Sequence, residues 1–336
     1  MKKTIIIAEA GVNHNGSLKL AKKLVDIASA SGADYIKFQS FKSELVFSKN
    51  TPKAEYQAKN TSKKITALQM GKKLELSEQS HLILKKYCDI KNIKYLTTFH
   101  DLETLKQYKK FNLDFIKIGS GDINNLPYLE AVSRINKKII ISSGLSNLRD
   151  IQEAIKILTK GIVKKKDIIV LHCNSAYPTP FEDANLNVLS TIKKKLKVEI
   201  GYSDHTQGIE VSIAAVSMGA RVIEKHFTIN KKLPGPDHRA SLSPLELNTL
   251  VNFIRKIDII KGSYLKKPTK SELKNKHVVR KSIVAMGEIK IGDKFTKNNI
   301  FIKRPATGIS PMNYNKLLGK KSKKNYSQDQ LIREKI

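Results

Sequence analysis

The 336-residue chain has little cysteine, no tryptophan and few arginines: Cys88 and Cys173 are its whole thiol content, and Arg occurs eight times. Two cysteines cannot build a disulfide framework, and a chain with no such framework is expected in a reducing, cytoplasmic setting. No stretch approaches the ~20 consecutive apolar residues needed to span a bilayer. Met1-Lys2-Lys3 has the charge of a secretory leader, but Glu9, Asn13 and Asn15 follow before an apolar leader core could form, so none is expected. A dinucleotide turn is missing too, because Gly11-Val12-Asn13-His14-Asn15-Gly16 after the first apolar run is not G-x-G-x-x-G. Acidic residues are scarce, 30 against 62 basic ones, for a formal charge of +32. The 54 lysines are spread along the chain with only short clusters, such as 164–166 and 193–195. A dedicated nucleic-acid binder concentrates its charge and favours Arg for bidentate contacts. A solvated, Lys-biased surface is therefore expected, with neither nucleic acid nor membrane as partner.

What is present is a 40% apolar chain, enough for a substantial core. Eight short, β-branched, near-continuously apolar runs occur at 4–8, 35–38, 94–98, 115–118, 138–142, 168–172, 198–201 and 222–224. Continuous apolarity marks strands covered on both faces. Between them lie helical patterns. Leu20, Ala21, Leu24, Val25 and Ala28 follow a candidate N-cap at Ser17, and Ser243-Pro244-Leu245-Glu246 has the form of a capping box. Eight β/α alternations over about 260 residues predict a (β/α)8 TIM barrel, preferred to a doubly wound sheet. The expected organisation is a catalytic barrel over 1–262, a polar linker over 263–277, and a small mostly-β module over 278–336. That last piece is too small to be stable alone without help. The long connection 43–77, with Tyr56 and Gln57, is expected to be an active-site loop carrying some helix.

Polar residues collect at the strands' C-terminal ends, where this fold keeps its chemistry. They are Glu9; Lys37 with Gln39; Thr97 with Thr98; Lys117 with Ser120 and Asp122; Ser142 with Ser143; Ser175 with Tyr177; Ser203 with Asp204 and His205; and Glu224 with Lys225 and His226. A single polar residue at a strand end is ordinary. Eight ends converging on one rim are not. Lys37 and Lys117 supply charge for a phosphate or carboxylate, although either lysine could simply snorkel or pair with Glu9. His205 and His226 end adjacent strands and could share one divalent ion, leaving positions open for water and substrate. Cys173 has no adjacent base in sequence to make it a nucleophile. Two other classes fit parts of this inventory: a Schiff-base aldolase using Lys37 or Lys117, and a basic nucleic-acid or glycan-binding protein.

The motifs carry a resemblance. Ala8-Glu9-Ala10-Gly11-Val12-Asn13-His14, Lys37-Phe38-Gln39, Lys117-Ile118-Gly119-Ser120-Gly121, Tyr177-Pro178-Thr179-Pro180, Gly201-Tyr202-Ser203-Asp204-His205 and Glu224-Lys225-His226-Phe227 resemble, in order, the bacterial sialic acid synthase family, which includes legionaminate and pseudaminate synthases. Lys303-Arg304-Pro305-Ala306-Thr307-Gly308 is similar to that family's C-terminal antifreeze-protein-like (SAF) domain. The resemblance implies metal-dependent condensation of phosphoenolpyruvate with an N-acetylated mannose-type sugar, with release of phosphate. It implies N-acetylneuraminate synthase with N-acetylmannosamine as acceptor, and legionaminate synthase with 2,4-diacetamido-2,4,6-trideoxymannose as the alternative. Carried over by position, Lys37, Thr98, Lys117, Ser120, Ser175 and Ser203 would bind phosphoenolpyruvate, with Glu9 near its reacting carbon. His205 and His226 would hold Mn2+ or Mg2+. Gln39, Asp122, Tyr177 and Asp237 would face the sugar. Arg304 would reach the site of the partner chain in a domain-swapped homodimer. Asp122 stands where this family usually has Glu, and Ser175 where Asn is common, so substrate identity is what these two departures touch.

Overall fold

The computed structural model describes residues 3–62 and 64–336. The chain divides into two compact units, Met1–Gly262 and Ser263–Ile336. In the first, eight parallel strands close into a barrel in sequence order: β1 Ile5–Gly11, β2 Tyr35–Ser40, β3 Lys94–Phe99, β4 Phe115–Ile118, β5 Lys138–Ser142, β6 Ile168–Cys173, β7 Glu199–Asp204 and β8 Val222–His226. Most strands run one to three residues beyond the apolar runs, so that their C-terminal ends carry residues such as Glu9, Gln39, Ser203 and His226 into the mouth. Helices cover the outside. The helix Leu18–Ala30 starts at Ser17, whose side chain accepts from the Leu20 N–H, and Pro244–Ile260 starts with the capping box between Ser243 and Glu246. Each N-cap of this kind satisfies N–H groups that have no partner inside the helix.

The barrel interior is set by the two-residue period of a strand. Ile7, Tyr35, Leu96, Phe115, Ile140, Leu171 and Val222 pack together as a buried apolar plug inside the barrel. Residues of opposite parity, such as Ile6, Ile36, Phe38, Ile116, Ile139 and Ile223, belong to the larger core that includes the helices. On β7 the place of a plug side chain is taken by Gly201. A Cβ there would lie 2.4 Å from Leu171 Cδ2 and 2.5 Å from the Val222 carbonyl oxygen, so the plug has room only for glycine.

The second unit holds a two-stranded antiparallel sheet, β9 Ser282–Ala285 with β10 Ile300–Lys303. Ile283, Ala285, Ile289, Phe295, Ile300, Leu317, Tyr326 and Ile332 form its own small core. The stretch 263–277, expected to be a plain linker, contains most of the helix Lys270–Val279, capped by Thr269 and Glu272 and without a buried residue. Its charged sequence hid the helix, since nothing apolar recurs at helical spacing. Among the described residues no helix is long and apolar enough to cross a membrane.

Candidate active site

Counting on from the plug by two residues along each strand gives Glu9, Lys37, Thr98, Lys117, Ser142, Cys173, Ser203 and Glu224. Two residues further come Gly11, Gln39, His100, Gly119, Gly144, Ser175, His205 and His226. Most of these line one cavity of about 240 Å3 at the C-terminal ends of the strands: Glu9, Lys37, Gln39, Thr98, His100, Lys117, Gly119, Ser120, Ser142, Ser175, Tyr177, Ser203, His205, Glu224 and His226. Most of the strand-end residues picked out in the sequence therefore share a single mouth; Thr97, Asp122, Ser143, Asp204 and Lys225 do not line it. Glycine at three of the upper positions keeps it open; at Gly144 a Cβ would fall 2.3 Å from Ser175 Oγ.

The floor of the mouth is a buried charge network. Lys37 Nζ lies 3.0 Å from Glu9 Oε2 and 3.5 Å from Glu224 Oε2, and donates to Thr98 Oγ1 at 2.9 Å. Lys117 Nζ donates to Ser142 Oγ at 2.7 Å and lies 3.7 Å from Glu224 Oε1, which also accepts from Ser203 Oγ at 3.0 Å. The pairing of Lys37 with Glu9, the plain alternative to an anion site, is thus present in the protein itself. Burial pushes the Glu9 carboxyl from its ordinary 4.5 up to about 7, only partly offset by Lys37. Burial also opposes ionisation of Glu224, but Lys117 and Lys37 outweigh it and hold that carboxyl down at about 2. Burial lowers the Lys117 ammonium below its usual range, with Glu224 acting against it. The result is two cations held by one firmly ionised carboxylate and one poised near neutrality. An incoming anion can take over these ammonium groups without emptying them of partners.

Above this floor stand the two histidines. The rings of His205 and His226 have centroids 5.4 Å apart. His205 Nδ1 faces the Asn174 carbonyl oxygen at 2.5 Å, leaving Nε2 for another partner. His226 Nδ1 is buried with no hydrogen-bond partner and lies 3.9 Å from Asp237 Oδ2. Burial drives His205 down to about 4 and lowers His226 as well, so both rings are neutral and able to ligate. The described residues gather no set of three or more His, Cys, Asp or Glu around one point. An orphaned imidazole nitrogen beside a second free one fits an open, two-nitrogen seat for a divalent ion rather than a closed structural cage.

A second cavity, about 160 Å3, adjoins the first and is mainly apolar: Val12, Phe41, Val46, Phe47, Met70, Leu74 and Tyr56 line it, with Gln39, His100, Tyr177, His226 and Asp237. Several of these come from the connection 43–77, which carries the short helices Ser43–Val46, Glu55–Asn60 and Ala67–Leu74. Tyr56 stacks on Tyr177 (4.7 Å, 24°), and Tyr177 stacks on His205 (4.0 Å, 29°). Asn60 Nδ2 donates to the Pro236 carbonyl at 2.8 Å, pinning this loop to the one that carries Asp237. Burial raises Asp237 from its ordinary 3.8 to about 7.

Other expected residues are placed less directly. Ser120 lines the first cavity but also contacts Cys173 Sγ at 3.3 Å and accepts from the Gly144 N–H. Burial raises the Cys173 thiol above its ordinary range, and its contact with Ser120 supplies no base that would activate it. Asp122, expected to face the sugar, lines neither cavity and turns to His100, whose Nδ1 is 3.5 Å from Asp122 Oδ2. Arg304 is exposed in the second unit. Asp204 and Lys225, grouped with the rim residues by sequence, point away from it and form a buried 3.0 Å ion pair, with Asp204 also accepting from Thr206 and Ser212. Glu224, His100 and Ser142 are the members that a role assignment from sequence left out. Their signal was the parity rule, which needs the strand register to be known.

Against known proteins, residues 24–266 match the model of the NeuB family and residues 280–335 that of the SAF domain. The chain belongs to the NeuB family. Within it, the chain is 51% identical over 334 residues to an N,N'-diacetyllegionaminic acid synthase of Campylobacter jejuni subsp. jejuni serotype O:2, covering 99% of this chain and 100% of that one. It is 34% identical to human N-acetylneuraminate-9-phosphate synthase, covering 98% of this chain and 91% of the other. Among solved structures it resembles the N-acetylneuraminic acid (sialic acid) synthetase of Leptospira borgpetersenii serovar Hardjo-bovis, with TM-score 0.73 and 37% identity over 82% of this chain and 90% of that one.

Proposed function

We propose that this NeuB-family protein condenses phosphoenolpyruvate with an acetamido sugar of mannose type to form a nonulosonate, and that its acceptor is 2,4-diacetamido-2,4,6-trideoxymannose, giving a legionaminate. The single observation behind the chemistry is the buried floor in which Lys37 and Lys117 share Glu224, with the poised Glu9 beside them. A doubly anionic enol phosphate suits that floor. Its carboxylate and phosphate take the lysines, while Thr98, Ser120, Ser142, Ser175 and Ser203 supply further hydrogen bonds. Carbon C3 of the enol attacks the sugar aldehyde, and positive charge develops at C2. Glu9, whose position near neutrality keeps an ionised form available, stabilises that carbon as the carboxylate. Water then adds at C2, and collapse of the adduct releases phosphate. A divalent ion on His205 and His226 would supply Lewis acidity toward the aldehyde oxygen. Gln39, Tyr177 and Asp237 would orient the sugar, and Arg304 would serve a partner chain's site in a homodimer.

The preference for the diacetamido, 6-deoxy sugar over N-acetylmannosamine rests on the apolar second cavity and on the 51% relative. The first sugar offers three methyl groups where the second offers one, and Val12, Phe41, Phe47, Met70 and Leu74 are matched to methyls. The test is release of phosphate from phosphoenolpyruvate with each sugar, with and without Mn2+. A higher kcat/KM for N-acetylmannosamine would transfer the assignment to neuraminate synthesis. Metal-independent turnover trapped by borohydride would transfer it to a lysine aldolase.

A further inference from the structure

Four residues are shared by the charged and the apolar cavities: Gln39, His100, Tyr177 and His226. In the proposed reaction the new bond forms at this junction. Gln39, Tyr177 and His226 already have roles there; His100 has none. Its position is built. The backbone N–H donates to the Ser40 carbonyl at 3.0 Å, and the ring stands edge-on to Phe41 at 6.3 Å and 76°. Gly119 opposite leaves space, since a Cβ on it would sit 3.3 Å from His100 Cε1. Asp122 Oδ2 lies 3.5 Å from His100 Nδ1, while its Oδ1 accepts from Asn125 Nδ2 at 3.1 Å.

We infer that His100 is a specificity-determining residue that contacts the acceptor sugar, and that Asp122 positions it without touching the sugar. The inference rests on the proposed function for the identity of the acceptor. An aspartate is one methylene shorter than the glutamate expected at this point, and its carboxylate stops at the imidazole. Residue 100 supplies the missing reach. Nδ1 faces the Asp122 carboxylate at 3.5 Å, which favours the tautomer with its proton on Nδ1; Nε2 is then a hydrogen-bond acceptor that selects a sugar presenting a hydroxyl or amide N–H there. The His100 side chain is partly buried, and an acceptor that the bound sugar covers discriminates because an analogue without the donor leaves it unpaired.

The experiment begins with wild-type enzyme on phosphoenolpyruvate and both sugars, then compares His100→Ala, His100→Gln, Asp122→Asn and the double variant His100→Ala with Asp122→Asn. His100→Ala is expected to raise the KM of the acceptor at least tenfold while the KM of phosphoenolpyruvate stays within twofold. His100→Gln, which keeps an acceptor atom, should recover part of the loss. Asp122→Asn should weaken the acceptor by itself but add nothing to His100→Ala, and ring 15N shifts of His100 should report a changed tautomer balance in Asp122→Asn. An unchanged acceptor KM in His100→Ala overturns the contact. Full multiplication of the two single effects, or ring shifts identical in Asp122→Asn, overturns the positioning role. Wild-type enzyme that turns over neither sugar would instead refute the functional reading, and the ring shifts would still decide whether Asp122 holds His100.

Discussion

Glu9→Gln separates the chemical role of this carboxylate from its cost to the fold. Glu9 is 1% exposed, and burial holds its carboxyl at about 7 against 4.5 in an unstructured chain. The folded form therefore keeps its proton to a higher pH than the unfolded one. The stability this contributes is complete below about 4.5 and is lost as the pH rises through about 7. At about 1.4 kcal/mol for each pH unit in that window, the loss comes to about 3 kcal/mol. Glutamine fills the same space and does not titrate. Urea unfolding of metal-free protein, following the barrel's far-ultraviolet signal, should show the variant gaining about 3 kcal/mol on wild type between pH 4.5 and pH 8. In the same variant, turnover should fall by at least 100-fold while the affinity for phosphoenolpyruvate is kept. A variant-to-wild-type difference that does not change with pH would refute the buried, poised carboxyl. Unchanged turnover would refute its place beside the reacting carbon.

Glu224→Gln removes the carboxylate shared by Lys37 and Lys117, and leaving buried ammonium groups underpaired should cost about 3–5 kcal/mol, seen as a lower melting temperature by circular dichroism. Gly201→Ala drives a methyl into Leu171 and the Val222 carbonyl; the plug must shift, at about 1–3 kcal/mol or more, with the loss again read from melting. His226→Ala should abolish high-affinity Mn2+ binding measured by electron paramagnetic resonance. In wild type, EDTA should stop phosphate release and added Mn2+ should restore it. Retention of Mn2+ by His226→Ala would remove the seat assigned to the two imidazoles.

The walls of the barrel were legible because they are written in contiguous sequence. An apolar run such as Ile139, Ile140 and Ile141 announces a strand buried on both faces, and Ser243-Pro244-Leu245-Glu246 announces a helix start. The charged mouth was legible in outline for the same reason: polar residues cluster at or just past the strand ends. What contiguous sequence does not carry is parity across the sheet. Asp204 and Lys225 are as polar and as terminal as Ser203 and Glu224, yet one pair is packed outside the barrel and the other inside. Nor does local pattern reveal the helix Lys270–Val279, whose stability comes from capping by Thr269 and Glu272 and not from an apolar face.

Parity also explains why the site is organised as it is. Once Leu96 is known to be in the plug, Thr98 and His100 are fixed to the same interior face; once Val222 is, Glu224 and His226 follow. Each strand thus offers two successive inward positions above the plug. The lower set holds the charges, deep enough that burial moves Glu9 toward neutrality and Lys117 below its usual range. The upper set holds imidazoles, an amide, a hydroxyl and glycines, which in the proposed reaction would leave room for a neutral sugar over an anion. A swap of level, with lysine at 39 and glutamine at 37, would put the anion's counter-charge where the proposed reaction seats the aldehyde. The two-residue step of the strand is therefore what would stack one substrate of the proposed reaction above the other.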